Sequence, residues 1–411
     1  MSSVDPQESA GRWLTIVGIG EDGLDGLGDA AKRCVAAAEF VFGGRRHLDL
    51  AAAAITGEAR AWPQPFDSTM KAVLALRGRK VCVLASGDPF CHGVGTTLSR
   101  LVPREEMAVL PAPSAFSLAA SRLGWALPEV ETVSLHGKPL ALLRPLLHPG
   151  ARLLALTSDE RGPADVAALL TWLGFGGTSI TVLEALGGPN ERIRATTADG
   201  FDLKDVNPLN LLALEVHATS QAAILPLAPG LPDDAFEHDG QITKRDIRAL
   251  TLSALAPRRG ELLWDIGAGS GSVAIEWMLR HPSLRAIAIE ASIPRAQRVR
   301  RNADALGVPR LRLVEGAAPA ALAGLPQPDA IFIGGGGSEP GVMDAAIAAL
   351  PSGGRLVANA VTLEMEAVLL SLQARLGGDL TRIAVSRAGP VGSMQGWRPA
   401  MPVTQWVWTK P

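Results

Sequence analysis

Short apolar runs alternate with helix-like stretches along nearly the whole chain. In the first half, strands are predicted at LTIVGIG, FVFGG, KVCVLASG, MAVLPA, TVSLHG, RLLALTS, SITVLEAL and NLLALEV, with helical segments such as DAAKRCVAAAEF and ADVAALLTWLGF between them. In the second half, a helix around residues 242–255 precedes the strands ELLWDIG, RAIAIE, LRLVEG, DAIFIGG, RLVANA, TRIAVSR and MPVTQWVWT. Strands that alternate with helices predict an α/β architecture with largely parallel sheets.

This alternation is interrupted once, between residues 218 and 237. The segment ATSQAAILPLAPGLPDDAFE holds three prolines and has no clear periodicity, which is typical of a linker. A chain of 411 residues is also too long for one ordinary hydrophobic core. We therefore expect an α/β domain over residues 12–217, a linker over residues 218–237, and a second α/β domain over residues 238–411.

Composition narrows the classes of function. A net charge of −2, an aromatic share of 4% and the lack of tyrosine argue against a non-specific nucleic-acid binder. No apolar run approaches the roughly 18–20 residues of a membrane helix, and the first residues do not resemble a signal peptide. The three cysteines form no C-x-x-C pair, which disfavours a zinc site and fits a reducing compartment. We expect a cytoplasmic protein that binds neither a metal nor a membrane.

A glycine-rich loop follows a strand in the second half, in WDIGAGSGSVAIEW at residues 264–277. Asp265 ends the strand, Gly267, Gly269 and Gly271 follow at alternate positions, and a helix begins at once. Glycines at this spacing let the backbone turn tightly and let a ligand lie against it. A dinucleotide fingerprint would have glycine or alanine at position 272, where this chain has serine.

The residues around this loop favour a ligand with an amino group and a ribose but no phosphate. An acidic residue such as Asp265 suits an ammonium group, and Glu290, which ends the next strand, is placed to accept hydrogen bonds from ribose hydroxyls. We therefore predict that S-adenosylmethionine binds here. For the glycines alone, a tight turn without a ligand remains the alternative.

The second half, residues 238–411, resembles the class I S-adenosylmethionine-dependent methyltransferases. It is more similar still to the decarboxylating precorrin methyltransferases, through DGQITKRDIRALTLSAL, DAIFIGGGG and VANAVTLE. The resemblance implies a Rossmann-like fold and places Gly316 and Ala317 near the adenine of the cofactor. That family typically has Gly-Asp at this point, so Ala317 removes a carboxylate that would contact the adenine amino group.

The first half carries its own glycine loop, LTIVGIGEDG at residues 14–23, which matches the dinucleotide pattern G-x-G-x-x-G. Glu21 and Asp22 stand inside the loop, where a pyrophosphate needs backbone N–H groups and no anions. The helix is also delayed, with Asp29 as its expected N-cap. A dinucleotide oxidoreductase is therefore disfavoured, although it stays open as a third alternative.

Instead, the first half from residue 13 to about 217 resembles the tetrapyrrole methylases (class III methyltransferases). The likeness rests on VGIGEDGLDGL, VLASGDPFCHGVGTTL, PAPSAFSLAASRLGW, SLHGKPL, TSDERG, VLEALGGPNERI and NLLALEV. In that family S-adenosylmethionine lies in a cleft between two α/β lobes. The resemblance places six residues beside it: Gly20, Gly87, Asp88, Pro89, Ser114 and Ala115. For Asp88-Pro89 alone, a plain turn is the alternative.

Together the two halves resemble the bifunctional precorrin-6Y methyltransferases (decarboxylating) of cobalamin biosynthesis. The resemblance implies a homo-oligomeric enzyme with two S-adenosylmethionine sites. It also implies methylation of carbon 5 by the first half, and methylation of carbon 15 with decarboxylation of the ring C acetate by the second. The sequence identifies no catalytic residue. A nucleic-acid methyltransferase, or a chain in which one half is a non-catalytic scaffold, remain the alternatives.

A polycarboxylate substrate needs walls that are rich in cations or N–H groups. The candidates are Thr243, Lys244, Gly334, Gly335, Gly336 and Arg398 in the second half, and Arg45, Arg46 and His136 in the first. A solvated helix start is the alternative for Lys244, and a flexible turn is the alternative for the three glycines. The arginines of PRAQRVRRNADALGVPRLR are predicted to form a solvated helix face.

Overall fold

The fold is described from a computed structural model, which defines residues 11–62 and 67–411. The chain divides into two compact units: the first takes in most of the chain up to Ala223, and the second consists of Pro139–Leu147 and Ile224–Pro411. The second unit therefore begins inside the segment that we expect to be a linker, and Leu231 and Phe236 of this segment are buried in its core. In the part of the chain that is described, no helix is long and apolar enough to cross a membrane.

The first unit opens with a parallel sheet whose strands lie in the order β3-β2-β4-β1-β5. Its strands are β1 (Leu14–Ile19), β2 (Phe40–Gly43), β3 (Glu58–Ala61), β4 (Val81–Ser86) and β5 (Met107–Leu110), with helices α1 (Asp29–Ala37), α2 (Arg45–Ala51), α3 (Asp67–Leu74) and α4 (Gly95–Leu98). Along β1, Leu14 and Ile16 join one hydrophobic cluster while Val17 and Ile19 join another. The strand is largely apolar because both faces of the sheet are covered.

The second sheet of this unit is mixed, with the order β6-β7-β10-β8-β9. Its strands are β6 (Glu131–Ser134), β7 (Arg152–Leu156), β8 (Ser179–Glu184), β9 (Arg192–Thr197) and β10 (Asn210–Glu215), with helices α5 (Ala115–Leu123) and α6 (Gly162–Trp172). Only β6 and β7 pair in parallel, so the expectation of largely parallel sheets is wrong here. The short loop between β8 and β9 leaves no room for the crossover that parallel pairing requires.

The second unit contains one seven-stranded sheet in the order β13-β12-β11-β14-β15-β19-β16 and a separate two-stranded hairpin. Its strands are β11 (Leu262–Ile266), β12 (Arg285–Glu290), β13 (Arg312–Glu315), β14 (Ala330–Ile333), β15 (Arg355–Ala360), β16 (Asp379–Ile383), β17 (Ser386–Val391), β18 (Met394–Pro399) and β19 (Val403–Thr409). Its helices are α7 (Arg245–Leu255), α8 (Ser272–Leu279), α9 (Ile293–Ala305), α10 (Val342–Ala349) and α11 (Leu363–Leu376).

In this sheet, β19 runs antiparallel to its two neighbours, whereas β13, β12, β11, β14 and β15 are parallel. Strand order reverses at β11, because β12 and β13 lie on one side and β14 and β15 on the other. Open α/β sheets bind ligands beyond the carboxyl ends of their strands at such a reversal. The predicted α/β class is confirmed, with a two-lobed first half and a Rossmann-like second half.

Candidate functional site

A cavity of about 760 Å³ lies at the carboxyl ends of the strands of the seven-stranded sheet. Its volume falls in the usual range for small-molecule sites. The predicted residues that line it are Thr243, Lys244, Gly267, Gly269, Glu290, Gly316, Ala317, Gly334, Gly335 and Gly336. Asp265, Gly271 and Arg398 are not among its lining residues. The structure thus gathers most of the second-half candidates around one space.

The glycine loop touches the loop that follows β14. Gly267 has φ +68°, and a Cβ on it would lie 2.4 Å from the Gly335 carbonyl oxygen. Gly271 stands just before α8, where a Cβ would lie 2.8 Å from Cγ1 of Val299 on α9. Only glycine permits both approaches, because contacts this short exclude a Cβ. The predicted turn is therefore also where the end of β11 and the start of α8 pack against α9 and against the loop that follows β14.

Glu290 at the end of β12 is held by two backbone amides. Its Oε2 accepts a hydrogen bond from the Gly269 N–H at 2.8 Å, and its Oε1 accepts one from the Ser292 N–H at 2.9 Å. Each carboxylate oxygen keeps a further lone pair. Because Glu290 lines the cavity, this capacity suits hydroxyl donors on a bound molecule.

Asp265 supplies a buried carboxylate next to the same loop. Its Oδ2 accepts a hydrogen bond from the Ala274 N–H at 3.0 Å, which holds the first turn of α8. Its Oδ1 is buried and has no hydrogen-bond partner among the described residues. Burial, together with the charge of Glu290, raises the pKa of Asp265 to about 7. A buried carboxylate with a free oxygen fits a cationic ligand group, because a cation offsets the cost of ionising it.

The cavity wall also carries residues that were not predicted from the sequence, and one of them, Asn359, lies on the side over β14, β15 and β19. Asn359, Arg387 and Arg295 line the cavity. Arg387 is the register partner of Arg398 across the hairpin, so the candidate chosen from the sequence lies on the neighbouring strand. Arg295 belongs to the stretch predicted as a solvated helix face, and it pairs with Asp239 at 3.0 Å.

A buried ion pair fixes the segment that leads into α7. Arg248 and Glu276 are fully buried, and the Arg248 Nε donates to Glu276 Oε1 at 2.5 Å. Arg248 also donates to the carbonyl oxygen of Thr243, while Glu276 accepts hydrogen bonds from two amides of the segment before α7. The buried pair Arg248–Glu276 therefore fixes the positions of Thr243 and Lys244 in the cavity wall. Neither residue of the pair was predicted from the sequence.

In the first unit, three loops converge beyond the carboxyl ends of β1, β4 and β5. A Cβ on Gly18 would lie 1.9 Å from the Gly87 carbonyl oxygen, and a Cβ on Gly87 would lie 2.7 Å from the Pro113 carbonyl oxygen. The Ala112 N–H donates to that same Gly87 oxygen at 3.2 Å. The predicted residues Gly87 and Ser114 are thus brought together by backbone contact.

The remaining cofactor candidates of this unit have local structural roles. Asp88 Oδ1 accepts a hydrogen bond from the Phe90 N–H at 2.8 Å, and the Pro89 carbonyl accepts one from Gly95 at 3.0 Å. Ser114 caps α5, which begins at Ala115. Gly20 closes a turn, because its carbonyl accepts from Gly23 at 3.1 Å. The structure therefore explains these residues locally and leaves their contact with a cofactor as a prediction.

The delayed helix after the first glycine loop is confirmed, because α1 begins only at Asp29. The predicted cap is wrong: Gly28 occupies the N-cap and Asp29 is the first helical residue. Asp22 fills the loop, since a Cβ on Gly20 would lie 2.5 Å from its Oδ1. An anion would meet this carboxylate in the space where the dinucleotide pattern expects a phosphate.

Arg46 of the first unit belongs to a polar cluster with Glu21, His47 and Ser86. Arg46 is ion-paired with Glu21, and its Nη2 donates to Ser86 Oγ at 3.0 Å. His47 Nε2 lies 2.7 Å from Ser86 Oγ and 3.1 Å from Arg46 Nη2. Since the arginine only donates, Nε2 is an acceptor and the imidazole is neutral. Burial and the neighbouring Arg46 lower the pKa of His47 to about 4.

His136 and Arg45 do not join this cluster. His136 follows β6 in the other lobe, with its Nδ1 3.3 Å from the Thr157 carbonyl oxygen. Arg45 is the exposed first residue of α2. Arg46 was predicted from the sequence, whereas His47 and Ser86 were not, because a lone histidine and a lone serine carry no spacing signal.

Comparisons with known proteins agree with the division into halves. Residues 13–202 match the family described as tetrapyrrole (corrin/porphyrin) methylases, and residues 234–410 match a precorrin methyltransferase domain.

Three relatives illustrate the likeness. A precorrin-6Y C(5,15)-methyltransferase [decarboxylating] from Sinorhizobium sp. is 65% identical over 97% of this chain and 96% of its own length. One of the same name from Mycobacterium tuberculosis is 41% identical over 97% of this chain and 100% of its own length. A cobalt-precorrin-6B C(15)-methyltransferase (decarboxylating) from Salmonella typhimurium is 34% identical over 39% of this chain and 85% of its own length.

Proposed function

The chain belongs to the family of precorrin-6Y C(5,15)-methyltransferases (decarboxylating), and from this premise we propose that it acts on a tetrapyrrole of cobalamin biosynthesis. It methylates precorrin-6B/6Y at carbons 5 and 15 and removes the carboxyl group of the ring C acetate as carbon dioxide, which gives precorrin-8. The cavity at the strand-order reversal, with a glycine loop and two acidic residues beside it, is the observation that carries this proposal.

Methylases of this family use S-adenosylmethionine, and we propose one site for it in each half. In the second half, Asp265 would neutralise the charge of the cofactor's ammonium group, and Glu290 would accept hydrogen bonds from the ribose hydroxyls. Gly316 and Ala317 would lie near the adenine. Because Ala317 has no polar side chain, adenine recognition there would fall to backbone groups. In the first half, Gly20, Gly87, Asp88, Pro89, Ser114 and Ala115 would contact the cofactor.

When bound, the cofactor supplies an electrophilic methyl group, and the protein contributes position and charge. Lys244, Arg295 and Arg387 bring positive charge to the cavity of the second unit, although each has an acidic partner. The amides of Gly334, Gly335 and Gly336 belong to its wall. These groups suit the acetate and propionate side chains of a polycarboxylate. In the first half, Arg45, Arg46 and His136 are the corresponding candidates.

We assign methylation of carbon 15 and decarboxylation to the second half and methylation of carbon 5 to the first. The relative from Salmonella typhimurium supports the pairing of two steps in one half, since it matches only 39% of the chain and its name carries both. The likeness of the first half to tetrapyrrole methylases supports a separate methylation there. A nucleic-acid methyltransferase and a non-catalytic half find no support among these relatives.

Mass spectrometry of precorrin-6B incubated with the full chain and S-adenosylmethionine tests the proposal. We expect a product with two added methyl groups and one carbon dioxide fewer, and no change when the methyl donor is left out. A substrate returned unchanged in both reactions would overturn the assignment.

The domain limits at residues 12–217 and 238–411, the cytoplasmic location and the homo-oligomer remain predictions. The β17–β18 hairpin supports self-association, because Val391, Met394 and Trp397 on it are exposed hydrophobic residues. Light scattering coupled to gel filtration tests this with the wild type and Trp397→Ser. A wild type that runs as a monomer would contradict it.

A further inference from the structure

We propose that Asn359 binds a carboxylate of the tetrapyrrole, with Thr251 and Gln405 as the residues that position its amide. This inference rests on the function proposed above and names one residue of the same site that contacts the substrate. In the sequence, Asn359 stands in VANAVTLE, a segment that carries the resemblance to the decarboxylating precorrin methyltransferases but that gave this residue no role.

Sheet topology places Asn359 on the side of the cavity away from the predicted cofactor residues. Gly267, Glu290 and Gly316 lie at the carboxyl ends of β11, β12 and β13, whereas Asn359 lies in β15, two strands from β11 on the opposite side. With strands about 4.8 Å apart, β15 is roughly 10 Å from the glycine loop. A cofactor over the first three strands leaves this side of the cavity for the second reactant.

The register of the sheet brings Asn359 and Gln405 together. They are direct partners across β15 and β19, and residues paired in this way point to the same face. Gln405 Nε2 donates to Asn359 Oδ1 at 2.9 Å, and Asn359 Nδ2 donates to Thr251 Oγ1 at 3.0 Å. The two bonds hold the Asn359 amide in place, with its oxygen towards Gln405 and its nitrogen towards Thr251.

The burial of Thr251 and Gln405 indicates that their hydrogen bonds serve to orient the Asn359 amide. Thr251 is fully buried and Gln405 is 5% exposed, and buried polar groups are tolerated only when they are bonded. Asn359 itself lines the cavity. Buried side chains that orient an accessible polar group act as the supporting shell of a binding site.

The free capacity of Asn359 indicates what it binds. After the two bonds, its amide keeps one N–H and one acceptor position. Val361, Val403 and Met401 line the same side of the cavity, so this N–H has few competing acceptors. Lys244 and Arg387 line the cavity as well, each with an acidic partner, so the case for an acceptor group on the ligand rests on the Asn359 N–H. A carboxylate that accepts from the Asn359 N–H fits this combination, and the acetate and propionate groups of the acceptor supply it.

Steady-state kinetics of the full chain tests the proposal with Asn359→Leu and Asn359→Asp. Both lose the N–H donor, and the aspartate also repels a carboxylate. We expect the KM for precorrin-6B in the carbon 15 reaction to rise at least tenfold, more for the aspartate, with S-adenosylmethionine affinity by calorimetry within twofold of wild type. Thr251→Val should raise the same KM about threefold, and Thr251→Ser should restore it.

The control variant is Thr381→Val, which removes an exposed hydroxyl from β16, at the position paired with Gln405 on its other side. It should leave both constants unchanged. An unaltered KM for precorrin-6B in both Asn359 variants would overturn the proposal, as would an equal loss of affinity for both reactants. If wild type transfers no methyl group at all, the proposed function fails instead, so the two failures are distinguishable.

Discussion

The two units each carry a glycine loop after a parallel strand, and the loops differ in where their acidic residues lie. In the first unit, Asp22 fills the turn and Glu21 is ion-paired with Arg46, while the next helix begins only at Asp29. In the second unit, Asp265 lies before the loop and Glu290 on the next strand, and α8 begins directly after Gly271. The same glycine spacing therefore makes two different sites.

The largest expected effects come from adding one methyl group to Gly267 or to Gly87, the glycines at which each loop contacts a neighbouring loop. Gly267→Ala would force a Cβ to 2.4 Å from the Gly335 oxygen, and Gly87→Ala to 2.7 Å from the Pro113 oxygen, both at positive φ. We expect Gly267→Ala to reduce carbon 15 methylation and decarboxylation, and Gly87→Ala to reduce carbon 5 methylation, each roughly 100-fold. Product masses and the calorimetric stoichiometry of S-adenosylmethionine binding measure this.

Gly353→Ala and Gly124→Ala are matched controls. Both glycines have positive φ but nothing within 4 Å of an added Cβ, so these variants separate crowding from backbone strain. Gly267→Ala and Gly87→Ala should each bind one S-adenosylmethionine where the wild type binds two. A loss of both reactions in either variant would contradict two independent sites.

The structure gathers the residues predicted in the second unit around one cavity, and the reason that the sequence could point to them is local. Gly267, Gly269 and Glu290 were predicted from their positions at successive strand ends, and Gly334 because the resemblance implies a polycarboxylate substrate. All four line the cavity. The prediction that a helix begins at once after this loop is confirmed, because α8 begins at Ser272, directly after Gly271. The first site depends on the meeting of loops that are distant in sequence, as in the contact between Gly87 and Pro113.

What the sequence could not show are contacts fixed by sheet register and burial. Asn359 meets Gln405 only because β19 inserts antiparallel beside β15, and His47 meets Ser86 across 39 positions of the chain. The β17–β18 hairpin was missed because glycines and prolines interrupt its alternation. Pairing across strands is decided by the whole sheet, whereas periodicity reports one segment at a time.

An intermediate effect is expected from the two arginine–glutamate pairs. Arg248 and Glu276 are fully buried, whereas Arg46 and Glu21 are 40% and 20% exposed. Arg248→Leu leaves a buried carboxylate unpaired and should destabilise the second unit by about 3–5 kcal/mol. Arg46→Leu should cost the first unit about 1 kcal/mol or less. Hydrogen exchange measured by mass spectrometry reports the stability of each unit separately. Equal losses of stability in the two variants would contradict the expectation that the buried pair matters more.

The effect expected from replacing Asp265 is smaller than that of breaking the buried Arg248–Glu276 pair, and it depends on pH. Its pKa is about 7 in the folded protein against an ordinary value of 3.8, so the folded state keeps the proton to higher pH. The cost of burying the ionised carboxylate is therefore absent below pH 4, grows between pH 4 and 7, and is complete above pH 7. Asp265→Asn should raise stability above pH 7 by about 2 kcal/mol, because part of the burial cost is relieved by relaxation.

The same substitution removes the charge that we assign to the ammonium group of the cofactor. Asp265→Asn should therefore stabilise the second unit and yet weaken its S-adenosylmethionine affinity roughly tenfold, the usual size for one charge-assisted contact. Thermal unfolding across pH 4–8 and calorimetry on the same samples measure the two effects together. A variant that gains stability without losing affinity would show that the carboxylate only holds the first turn of α8. The contrast between the two glycine loops would then rest on Glu290 alone.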